Sequence, residues 1–202
     1  IALCDTFVDN YYTMGQGMNY WGYYSCDNTA VLITAIAGYK DRYTAVINDA
    51  KQIIAKFTNN DGTYFVSTDT TTSPDSTATA LMAYASIGDM DLASYMYNNL
   101  VAGFESTTGV IQCYGADNEY STKGALLAYE YYLDAALKNG YAHSMKLTRS
   151  TVYPCASGYR YLACDDCDRA VSYGYSATTD HKYTTKITTP ATCTKSGVKT
   201  HT

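Results

Sequence analysis

The chain has 202 residues, 47% of them hydrophobic, and a formal net charge of −5. That length can bury a core, and that hydrophobic share excludes wholesale disorder. Residues 1–142 carry 15 acidic and 6 basic side chains, against 4 and 8 in residues 143–202; the acidic first part disfavours nucleic acid, whose phosphates need clustered Lys and Arg.

The charge reverses where the residue texture also changes, which predicts two units, 1–142 and 143–202. Tyr dominates the aromatics, with 23 Tyr against 4 Phe and 1 Trp. A ring with a polar tip suits helix rims and wet interfaces more than dry cores. No segment approaches the roughly 18 consecutive apolar residues that a membrane span needs. The chain shows no signal-peptide pattern and starts at Ile1 inside a helical pattern, so it reads as a processed form or a fragment. Seven Cys, an odd number, leave at least one thiol unpaired, metal-bound or bonded outside the chain.

In chain order, three stretches share one texture: 27–35, 75–83 and 120–128. Their starts lie 48 and 45 residues apart, a period that predicts an array of two-helix units. Each opens on small polar or acidic residues that can cap a helix, then runs into Ala and Leu. The clearest start is Ser73-Pro74-Asp75: a capping serine, Pro at the first helical position and an acid against the helix dipole. Between these stretches, Tyr43, Val46, Ile47, Ala50, Ile53, Ile54 and Phe57 keep the spacing of an amphipathic helix, as do Leu92, Tyr95, Met96 and Leu100. Gly38, Gly88, Gly103 and Asn139-Gly140 stand where C-caps are expected. Short turns precede the small-residue helices: Trp21-Gly22-Tyr23-Tyr24, Gly62-Thr63-Tyr64-Phe65 and Gly109-Val110-Ile111. A thin Ala/Thr/Ser helix fits a crowded inner row, and a helix with a bulky stripe covers it from outside.

The Gly-aromatic turn, the Asp-Ser-Thr-Ala stretch at Asp75–Ala78 and the Ala/Leu helix resemble the prenyltransferase/squalene-cyclase type repeat. Asn118-Glu119-Tyr120-Ser121-Thr122 is similar to the Asn-x-Glu-Ser-Thr-Ala form found in bacterial surface members, with one residue inserted. The resemblance covers about residues 15–138 and implies an all-α fold, a partial or compact α/α toroid, with a small β-rich, Cys-containing extension.

From about residue 143 the helical period stops, and Tyr159–Leu162 and Tyr183–Ile187 alternate like short strands. Cys155 with Cys164-Asp165-Asp166-Cys167, and the stretch from His181 to Thr202, resemble a Cys-rich repeat found in tandem on secreted proteins of gut Firmicutes. That resemblance implies an incomplete second repeat of a longer parent protein. Cys155, Cys164, Cys167 and His181 make a chemically sensible tetrahedral zinc set. A disulfide of Cys155 with Cys164 or Cys167 stands as the alternative in an oxidising exterior.

No His precedes His143, so a Ser-His-Asp or Cys-His site cannot be assembled within the helices. The Asp165–Asp168 cluster that a terpenoid cyclase would need lies in the tail, the Asp, Cys and His zinc site of prenyltransferases lacks its histidine, and the complement-type thioester sequence is absent. In related toroids ligands meet the end where inner helices begin. There the resemblance implies a binding cluster of Asp27, Asp75 and Glu119 with Trp21, Tyr23, Tyr24, Tyr64 and Tyr114. Helix capping alone also accounts for the three acids. The expected function is a non-catalytic extracellular or cell-surface module for binding, adhesion or scaffolding, with a glycan or protein ligand. The alternatives are a polysaccharide-active enzyme using an acid pair, or a carrier of a small organic cofactor.

Overall fold

A computed structural model describes residues 1–20, 22–58, 72–152, 158–175, 185–189 and 198–201. Helix α1 (Ala2–Tyr11) leads into a small antiparallel sheet of β1 (Tyr12–Thr13), β2 (Gly17–Tyr20) and β3 (Tyr23–Tyr24). Helices α2 (Cys26–Ile36) and α3 (Thr44–Lys56) follow, then α4 (Pro74–Ile87) and α5 (Met90–Phe104). The hairpin β4 (Gln112–Cys113) and β5 (Ala116–Asp117) precedes α6 (Glu119–Asn139). A second antiparallel sheet runs β6 (Met145–Val152), β7 (Gly158–Cys164) and β8 (Ala170–Tyr175), and β9 (Thr185–Thr189) pairs with β10 (Val198–His201).

The small-residue helices start where their capping chemistry dictates. The side chains of Ser25, Ser73 and Asn118 accept the N–H groups of Asn28, Ser76 and Ser121, which satisfies a donor that the first helical turn leaves free. Gly88 and Gly140 end α4 and α6 in the left-handed conformation, at φ 79° and 59°. The other two expected caps differ. Gly38 sits in a 3-10 turn, Ala37–Tyr39, and Gly103 lies inside α5, whose last turn continues to Phe104. The bulky stripes fall as their spacing predicts: Ile47, Ala50, Ile53 and Ile54 are buried on α3, and Leu92, Tyr95, Met96 and Leu100 on α5.

Helix α4 lies between α2 and α6, α3 packs on α2, and α5 packs on α4 and α6. The sheet β6–β7–β8 lies against α3 and α5. Ile33, Leu81, Tyr84 and Leu100 of the helices share one core with Met145 and Leu162 of the sheet. Met18, Leu32, Ile36, Tyr43 and Ile47 form a second cluster under α1.

This architecture corrects the expectation of an all-α toroid. The chain is α+β, with six α-helices and ten strands among the described residues. The outer helices are not one half of a ring: a sheet covers them and buries its apolar side chains in the helical core. Thin and bulky helices do alternate along the chain, but their spacing specifies no more than that. What covers the bulky ones is set by strands remote in sequence, and no helical period carries that information.

Candidate functional site

Two places gather candidate functional side chains, and the first is the end of the molecule where the small-residue helices begin. Thr29 Oγ1 donates to Ser25 O (2.8 Å) and accepts the Met18 N–H (3.1 Å), tying α2 to the hairpin before it. Thr122 Oγ1 does the same with Asn118 O (2.7 Å) and the Ile111 N–H (3.0 Å), and Thr77 Oγ1 donates to Ser73 O (2.8 Å). Close approach demands Gly17, at φ 96°, where an added Cβ would stand 2.6 Å from Thr29 Oγ1.

These ties hold each hairpin against the helix that follows it. Tyr20 pairs with Tyr23, and Cys113 with Ala116 across Tyr114-Gly115. Tyr114 (φ 54°) and Gly115 (φ 78°) are both left-handed, as a type I′ turn requires. Asn or Gly fits that first position without strain, whereas Tyr does not. The Tyr114 residue is nevertheless 83% exposed, and Tyr23 and Tyr120 project at 52% and 84%.

Of the acids expected here, Asp27 and Asp75 come near each other, and Asp75 also reaches to 4.0 Å from a Cβ built on Gly124 of α6. Burial pushes the Asp27 carboxyl above its ordinary range, the Ser76 hydroxyl eases it, and the charge of Asp75 adds to it. Glu119 pairs instead with Lys123 at 2.6 Å, one turn along the same exposed face. Tyr24 is half-buried, with its hydroxyl 3.3 Å from Thr13 Oγ1. Trp21 and Tyr64 lie outside the described residues.

The second place is the corner where the sheet meets α5. The β6–β7 register sets Met145 opposite Cys164. That brings His143, just before β6, to the Cys164-x-x-Cys167 turn after β7. One ligand atom from each of His143, Cys164 and Cys167 lies within 4.8 Å of the others, and His143 Nδ1 is 3.3 Å from Cys167 Sγ. The Cys164 thiol is held down to about 7. The Asp166 backbone N–H contributes most, against the opposing effect of burial, and the Ser144 N–H, His143 and Cys167 add to it. Two amides aimed at one sulfur favour a thiolate, the form that binds metal.

Sequence reasoning anticipated Cys164 and Cys167, and it missed His143. The only signal for His143 was the strand register, which a motif does not carry. Cys155 and His181, the other two expected ligands, lie outside the described residues.

Helix α5 braces this corner. Ser94, buried, donates to His143 O (2.8 Å) and accepts the Met145 N–H (3.0 Å). Asn98 Nδ2 donates to Met145 O (2.9 Å) and Ser144 Oγ (3.1 Å). Asp91 accepts the Tyr141 hydroxyl (2.8 Å) and both Nε (2.6 Å) and Nη2 (2.8 Å) of Arg169. Burial alone would raise the Asp91 carboxyl, but the Arg169 and Tyr141 hydrogen bonds outweigh it and hold it below the usual range.

No family model matches the chain, and neither a curated protein nor a solved structure matches it. The expected membership of the prenyltransferase/squalene-cyclase type is overturned by the α+β fold, and neither that repeat nor the Cys-rich repeat of gut Firmicutes expected in the tail finds a match. No helix among the described residues is long and apolar enough to cross a membrane.

Proposed function

We propose that the chain is a non-catalytic binding module of an extracellular or cell-surface protein, taking a glycan or protein ligand across its aromatic hairpin rim. The observation that carries this is Tyr114. It spends backbone strain of about 1 kcal/mol to hold a ring that is 83% exposed. Neither the strain nor the exposed ring area serves folding, and an aromatic face is a good platform for a sugar ring or an apolar side chain. Helix α4 lies between α2 and α6, so a ligand that reaches both hairpins is an extended one.

The test is a glycan array and a protein-ligand screen on wild type and on a Tyr23→Ala/Tyr114→Ala variant. Binding that drops at least about tenfold in the variant, with melting temperature retained, supports the reading. Binding indifferent to both rings sinks it, and so does release of new reducing ends from the polymer, which would make the Asp27/Asp75 pair catalytic.

A separate proposal concerns His143, Cys164 and Cys167, which are suited to hold a structural zinc when the thiols are reduced. Two thiolates and an imidazole are the donors that zinc takes in tetrahedral sites, whereas hard cations prefer oxygen.

A further inference from the structure

We infer that zinc at His143, Cys164 and Cys167 clasps the sheet β6–β7–β8 onto α5, with Asp91 as the positioning residue of the clasp. This rests on the zinc reading above. The ligands come from two separate pieces of chain: the segment entering β6 and the turn between β7 and β8. Both pieces are anchored to one face of α5, where Asp91, Ser94 and Asn98 follow helical spacing.

Ser94 and Asn98 fix only the first piece, by bonding to residues 143–145. Asp91 fixes both. Its Oδ1 takes the hydroxyl of Tyr141, whose ring meets the His143 ring edge-on at 5.1 Å. Its two oxygens also hold Arg169, whose carbonyl accepts the Cys164 N–H at 3.0 Å and closes the Cys-x-x-Cys turn. One carboxylate thereby sets the distance between the imidazole and the thiols. It touches none of the ligand atoms, which defines an outer-shell role. The linkage is reciprocal: if Asp91 preorganises the ligands, bound zinc must stabilise the contact between sheet and α5.

The experiment uses the full chain, reduced, with Zn2+ titrated against a chromophoric chelator and Co2+ as a spectroscopic stand-in. Wild type is expected to bind one zinc, with a thiolate-to-cobalt charge-transfer band, and Cys164→Ser to lose that band. Asp91→Asn is expected to weaken zinc about 10–100-fold while leaving the cobalt spectrum unchanged, because the ligands are the same. Tyr141→Phe, which deletes only a hydroxyl, is expected to weaken it in the same direction by a smaller factor and guards against misfolding of the first variant. Hydrogen exchange at residues 141–147 should slow on zinc addition in wild type and much less in Asp91→Asn. Zinc affinity within twofold of wild type in both variants overturns the positioning role and leaves the zinc reading standing. Failure of reduced wild type to bind zinc overturns the zinc reading, and the clasp with it.

Discussion

The hairpin-helix units that contain α2 and α6 are built alike and end up in different surroundings. In both, a threonine four residues past the cap bonds back to the cap carbonyl and receives an amide from the hairpin. Register then equates Ile33 of α2 and Leu81 of α4 with Leu126 of α6, at steps of 48 and 45 residues. Ile33 and Leu81 are fully buried, and Leu126 is 60% exposed. Hydrogen bonds within a unit set where a helix starts and how its hairpin is aimed. Its neighbours decide what the helix buries, and among the described residues α6 packs on α4 and α5 while Leu126 faces away from them.

The largest expected effect separates those registers. Leu81→Ala should cost about 3 kcal/mol through lost burial and a residual cavity, and Leu126→Ala no more than about 0.5 kcal/mol. Urea unfolding of the two variants measures both. Equal losses would mean that α6 is covered in solution, and the contrast between the units would collapse.

The next effect probes what the units share. Thr29→Val keeps the shape and strips the hydroxyl, leaving the Met18 N–H buried without its acceptor. A loss of about 1–3 kcal/mol is expected from that orphaned donor. Thr122→Val makes the same change at a threonine that is only half-buried, whereas Thr29 is fully buried, so water can reach the vacated hydroxyl position and the loss should be the smaller of the two. If Thr122→Val proves the more damaging, burial is not what grades the two ties.

Much of this pattern was legible because its causes are local. Ser73-Pro74-Asp75 announces the start of α4 from chemistry within one helical turn, and the Ile47-to-Ile54 stripe records its own burial in its spacing. The alternation of Tyr159–Leu162 likewise marks β7. His143 was illegible for the opposite reason. Its partnership with Cys164 and Cys167 depends on the pairing of Met145 with Cys164 across a long hairpin, and on an α5 face about 50 residues earlier. Turn geometry and remote packing choose that register, and a one-residue slip would have taken the imidazole away. The toroid expectation failed on the same ground: helical period describes a helix's faces and not the element that covers them.

The smallest expected effect asks whether two acids in one register differ through burial. Asp27 and Asp75 stand 48 residues apart, each in the first turn of its helix; Asp75 is exposed, whereas Asp27 is half-buried. Burial lifts the folded-state pKa of Asp27, and Asp75 adds to the lift. Between the ordinary carboxylate value and the raised one, Asp27 therefore binds more proton in the folded chain than in the unfolded chain. The contribution of Asp27 to stability must fall as pH rises through that window and recover as pH is lowered. Asp27→Asn cannot titrate there, so its stability relative to wild type should improve with rising pH across the window and then level off. Urea unfolding of both proteins from about pH 3 to about pH 7 reads that difference directly. Parallel profiles would show that the Asp27 carboxyl is solvated in solution, which would leave the two acids alike and return both to plain capping charges.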